Sequence, residues 1–170
     1  MIGKGKSISH GVAALEYDLA KEINGQAVAT EIARHELYGC TGAEMVQEMK
    51  PYHIDFPNVK NNCLRFEVSP SIEESATFTD ADWAELGNDF MQRMGLANHQ
   101  YIIIRHSGTE SKKEQAHLHI LANRVSLSGE LYRDNWIGKK ATEAANAIAK
   151  ERNFVQSQDI GKVNKAEIKE

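Results

Sequence analysis

Two apolar runs, YIIIRH (Tyr101–His106) and AHLHILANRV (Ala116–Val125), restrict the fold more than any other feature of the chain. Only the polar stretch 107–115 separates them, so they predict an antiparallel pair of strands. Side chains alternate across a strand. His117 and His119 therefore project from one face with their Cβ atoms about 7 Å apart, and His106 ends the neighbouring strand. Leu118 and Leu121 are expected in the core. Placing two imidazoles in an apolar strand requires a partner for each, and one cation gripped between them satisfies both. Three histidines leave positions for water and phosphate oxygen, as an open, catalytic type of site does.

The other elements follow from periodicity and capping. Val12, Leu15, Leu19 and Ile23 recur at helical spacing, which puts Tyr17 on or beside a helix. Thr41, with Glu44 three residues on, opens a helix that stops near Pro51. Leu64, Phe66 and Val68 alternate with Arg65, Glu67 and Ser69, a half-buried strand carrying the polar three on one face. Thr79 caps a helix over Asp80–Met94, ended by Gly95. A short strand at Glu130–Arg133 and a helix from Ile137 to Arg152 complete the pattern. Residues 24–37 read as loop with some helix. The opening MIGKGKSISHG reads as a brief strand or an arm that closes over a substrate. Together these predict an α+β domain over 1–152, a central antiparallel sheet with helices packed mainly on one face. A polar tail, 153–170, follows, compatible with the start of a truncated region.

Composition narrows the function classes. No apolar run reaches the ~20 residues of a membrane span and the N-terminus lacks a secretory core, so no membrane partner and a cytoplasmic location are expected. Cys40 and Cys63 fit neither a disulfide framework nor a paired-cysteine zinc site and read as ordinary small apolar residues. The net charge is −4, but it is unevenly spread. Residues 1–100 hold 8 Lys/Arg against 15 Asp/Glu, whereas 101–152 hold 9 against 6. Basic character thus accompanies the histidines, as an anionic substrate would require. His10, His35, His53 and His99 have no such context and read as surface residues.

The run YIIIRH…AHLHILANRV resembles the third motif of plasmid and transposon mobilization relaxases, members of the histidine-hydrophobe-histidine endonucleases. RFEVSPSIEESATFTDADWAELGNDFMQRMG resembles the strand, loop and helix before that motif in relaxases of Bacteroides-type mobilizable elements. GKSISHGVAALEYDLAKE resembles their N-terminal segment, with a tyrosine on the first helix. The resemblance spans roughly residues 1–152 and implies the relaxase and rolling-circle nuclease palm fold. It implies strand-specific nicking of single-stranded DNA at an origin of transfer, with tyrosine transesterification and a 5′-phosphotyrosyl intermediate. It also implies a divalent cofactor, Mg²⁺ or Mn²⁺, and, as partners, accessory mobilization proteins and a coupling protein.

Carried onto this chain, the resemblance makes His106, His117 and His119 the metal ligands and Tyr17 the nucleophile. Glu67 would orient a ligand or accept the tyrosyl proton, and Arg105, Lys112, Lys113 and Arg124 would contact phosphates. Two departures stand out. Relatives often place an aspartate two residues after the first histidine; here that position is Gly108, in a longer and more charged loop where Glu110 can substitute. The first strand also looks abbreviated, as if the sheet lacked an edge. A second tyrosine competes with Tyr17. Tyr132 follows the histidine pair, in the order of rolling-circle replication initiators, but lacks a lysine four residues on, where Tyr17 has Lys21. Two alternatives to a relaxase therefore stay open: an initiator nuclease using Tyr132, and a non-catalytic DNA-binding module on the same fold.

Overall fold

The computed structural model describes residues 1–108 and 115–169. In chain order the elements are β1 (Ile2–Ile8), α1 (Gly11–Leu19), β2 (Glu22–Ile23), β3 (Gln26–Ala27), β4 (Ala29–His35) and α2 (Gly42–Met49). They continue with β5 (Cys63–Ser69), α3 (Ile72–Ser75), α4 (Asp80–Arg93), β6 (Tyr101–His106), β7 (His117–Asn123), α5 (Ile137–Glu151) and α6 (Ile160–Lys169). Five strands form one sheet in the order β1-β5-β7-β6-β4, with every pairing antiparallel. The expected β6–β7 pair is present, with His106 opposite His117 and Ile104 opposite His119.

Strand alternation divides the apolar side chains between two cores. On one face Leu64, Phe66, Val68, Ile103, Leu118, Ile120 and Ala122 pack with Trp83, Leu86, Phe90 and Met91 of α4 and with Ala141, Ala145 and Ile148 of α5. On the other face Ile8, Cys63, Ile102, Ile104 and Leu121 pack with Ala14 and Leu15 of α1 and Met45 and Met49 of α2. Leu118 and Leu121 are thus both buried, but in opposite cores. The class is α+β and the two longest helices share one face, as expected. The shorter α1 and α2 add cover to the opposite face, and α1 reaches His106 through the Asp18 carbonyl.

The N-terminal stretch is a full edge strand. β1 pairs along the whole of β5, from Ile2 opposite Ser69 to Ile8 opposite Cys63, so the sheet lacks no edge. Its glycines explain how: a Cβ on Gly3 would stand 2.3 Å from the Ala141 carbonyl oxygen. Only glycine lets α5 lie this close behind the strand.

Residues 24–37 contain β3 and β4 instead of loop and helix. β4 is the other edge, half-buried along its length and with a register shift between Glu31 and Ala33. That bulge and the lack of a dry face remove the period-2 signal. α1 ends at Leu19, and Ile23, expected on the same helix, lies in β2. The Thr41 cap on Glu44 N and the Thr79 cap are as expected, and the Asp82 side chain completes a capping box with Thr79. At 130–133 there is an isolated bridge, Val125 to Leu131, in place of a strand. The stretch after Glu151 contains α6, with Ile160 buried and the Asn164 side-chain Oδ1 accepting from Ile72 N. No helix among the described residues is long and apolar enough to cross a membrane.

Candidate metal centre

β6 and β7 bring the three histidines together. Each offers one ring nitrogen to a group whose atoms lie within 4.8 Å of one another. Ring centroids are 4.4 Å apart for His106 and His119, 4.8 Å for His117 and His119, and 5.5 Å for His106 and His117. His117 Nε2 and His119 Nε2 stand 3.0 Å apart. Two nitrogens held about 2.1 Å from one ion at a right angle are separated by about that distance, so this pair fits adjacent positions on a single cation.

Neighbouring groups set the ring orientations. His117 Nδ1 donates to the Gln115 carbonyl at 2.8 Å, which leaves its Nε2 lone pair for a ligand role. His106 Nε2 donates to the Asp18 carbonyl at 2.7 Å, which leaves Nδ1 for the same purpose. Burial, first of all, holds His106 below the usual histidine range, against the raising effect of its bond to Asp18. His119 is pushed down to about 3, chiefly by burial and then by His106, His117, Arg65 and Lys21. Such imidazoles are neutral at pH 7, the form that binds a metal.

Asp18 joins α1 to this cluster by its side chain as well. Its buried carboxylate accepts from Arg65 Nη2 at 2.6 Å and Nε at 3.3 Å. Arg65 lies on β5, opposite Leu121 of β7. The preceding residue, Tyr17, is 58% exposed, and its hydroxyl oxygen accepts from Lys21 Nζ at 2.9 Å. Glu67 is directly opposite His119, and both line a cleft of about 210 Å³ with Lys4, Lys6 and Arg65.

Other candidates lie elsewhere. Arg105 points to the opposite sheet face, where it pairs with Asp80 at 2.6 Å and donates to Thr30. Arg124 lies beyond the far end of β7 and is bound to the carbonyls of Tyr132 and Asn61 and to Asp134. Lys112, Lys113 and Glu110 lie outside the described residues. Tyr132 is half-buried at the same far end, its hydroxyl donating to the Met94 carbonyl. His99, expected on the surface, is buried and hydrogen-bonded to the Asn123 carbonyl. Cys63 is buried, its thiol pushed up to about 11 by burial, whereas Cys40 is exposed. Sequence reasoning overlooked Asp18, whose position on the buried stripe of α1 with Leu15 was the available signal. It also overlooked Lys4 and Lys6, which alternate with glycine on β1.

A family model described as relaxase, MobA/VirD2-like, nuclease domain, matches residues 17–154, well over half the chain. No curated protein and no solved structure matches.

Proposed function

We infer that this chain, which belongs to the MobA/VirD2-like family of relaxase nuclease domains, nicks one DNA strand at the origin of transfer of a mobilizable element. In this reading His106, His117 and His119 hold a divalent cation, Mg²⁺ or Mn²⁺, and Tyr17 is the nucleophile. The observation that carries it is the junction of α1 with the histidine cluster. Tyr17 immediately precedes the residue whose carbonyl receives the His106 N–H bond.

The cation, when bound, supplies positive charge to the oxygens of a phosphodiester that otherwise repels a nucleophile. The chain's own groups do the rest. Three neutral imidazoles hold the ion without cancelling its charge. The Tyr17 oxygen attacks phosphorus after giving up its proton, and Glu67, on the histidine face, is the candidate acceptor. Lys21 places an ammonium against the oxygen on which negative charge develops. A phosphorus–oxygen bond to tyrosine forms as the bond to the 3′ oxygen breaks. That 3′ oxygen takes up a proton, and the 5′ phosphate stays on the protein. The linkage retains the bond for later rejoining, which suits strand transfer.

Tyr132 is the poorer nucleophile on the same grounds. Its hydroxyl is engaged with Met94, burial holds it above the usual tyrosine range, and it lies beyond the far end of β7. Accessory mobilization proteins and a coupling protein are the partners this reading requires. The test is nicking of single-stranded origin oligonucleotides with Mn²⁺, with Mg²⁺ and with a chelator. Cutting that persists in the chelator contradicts the metal role; binding with no cutting under any condition favours the non-catalytic module.

A further inference from the structure

We propose that the outward face of β1 is a second phosphate site, metal-independent, which holds the backbone of single-stranded DNA beside the phosphate at the histidines. This rests on the nicking reading for what lies next to it, and adds residues which that reading does not use.

The observation is the alternation Gly3-Lys4-Gly5-Lys6. Gly3 and Gly5 face α5 and the Phe66 side, where a Cβ would collide with Ala141 or with the Phe66 ring. Lys4 and Lys6 consequently face the other way, onto the surface that carries the histidines, and both are exposed. Register fixes their places. Lys4 is opposite Glu67, which is opposite His119. Lys6 is opposite Arg65. Two strand spacings put Lys4 about 9.6 Å from His119 at the backbone, and Lys6 lies about 6.8 Å further along β1 from Lys4. The cleft of about 210 Å³ that these residues line opens beside His119 itself.

Three cations and one carboxylate, Glu67, border that cleft, so its net charge attracts an anion. Arg65 is already committed to Asp18, which leaves Lys4 and Lys6 to meet a phosphate. Lysines on an edge strand also discourage pairing with another sheet. That role needs no particular face, whereas here both lysines share the histidine face, and α5 braces the strand from behind.

The experiment measures the affinity of the full Mn²⁺-loaded chain for a short oligothymidylate across a salt series. The Lys4→Ala/Lys6→Ala double variant is expected to bind about tenfold more weakly. The slope of log affinity against log salt should become shallower by about 0.7 for each phosphate the protein no longer neutralises. Mn²⁺ affinity without DNA should stay within about twofold of the parent's, and Arg105→Ala, on the opposite face, should leave the slope unchanged. Both lysines are exposed, and circular dichroism checks that the variant is folded. Lys6→Glu alone should lower affinity in the same direction. An unchanged slope and affinity in the double variant overturns the proposal, as does an equal loss of Mn²⁺ binding. A parent that binds in this pattern but never nicks contradicts the nicking reading and leaves the site standing.

Discussion

The Asp18 carbonyl accepts a 2.7 Å hydrogen bond from His106 Nε2, so the residue after Tyr17 sets the ring of a histidine 88 positions away. The same residue's carboxylate grips Arg65 of β5. One residue thereby positions α1, and the tyrosine on it, against the candidate metal centre.

Removing either partner of that pair should reveal an asymmetry. Asp18 is 1% exposed and Arg65 22%. Arg65→Ala strands a buried carboxylate and should cost about 3 kcal/mol of stability. Asp18→Asn, which leaves Arg65 able to reach water, should cost about 1–2 kcal/mol. Urea unfolding measures both. Equal costs would mean that the ion pair does not anchor the helix.

Each histidine should be needed for metal. His106→Ala, His117→Ala and His119→Ala are each expected to weaken Mn²⁺ binding at least about tenfold by titration calorimetry. His99→Ala, whose ring bonds to the Asn123 carbonyl at the other end of β7, should leave it unchanged. Wild-type affinity in any of the first three removes that residue from the ligand set.

Acid should destabilise the metal-free chain through these rings. An unfolded histidine gains its proton near 6.5, whereas folded His119 resists protonation down to about 3, and His106 is lowered in the same direction. The unfolded state therefore binds more protons as pH falls below about 6.5. Stability that is complete above that value is lost by up to about 1.4 kcal/mol per pH unit for each such ring. Unfolding in chelator at pH 7.5 and pH 5 tests this, and His119→Gln should lose less stability than the parent over that interval. Identical losses would contradict it.

The close approach of β1 and α5 predicts a packing penalty. Gly3→Ala places a methyl against the Ala141 backbone, which should cost about 1–3 kcal/mol. An unchanged unfolding midpoint would show that the strand can shift without loss.

Strong periodicity was legible in the sequence, and so was the site's nucleus. The β6–β7 pair and the shared face of His117 and His119 follow from alternation alone. β4 escaped because a half-buried, bulged edge has no dry face to produce a pattern. The basic surface escaped for a different reason. Counting charge by segment pointed to 101–152, yet Lys4, Lys6, Lys21 and Arg65 all come from the acidic first hundred residues. Sheet order brings Lys4, Lys6 and Arg65 to the histidines and the end of α1 brings Lys21, and sequence distance carries no information about that. Arg105 shows the converse: it neighbours His106 in sequence, and strand alternation turns it to the other face.

Covalent capture of DNA identifies the tyrosine that attacks the phosphate. Wild type and the separate Tyr17→Phe and Tyr132→Phe variants would be incubated with Mn²⁺ and a single-stranded oligonucleotide spanning the origin, then resolved under denaturing conditions. A protein–DNA adduct that forms with wild type and Tyr132→Phe and vanishes with Tyr17→Phe is the predicted result. An adduct that persists in Tyr17→Phe would contradict the account.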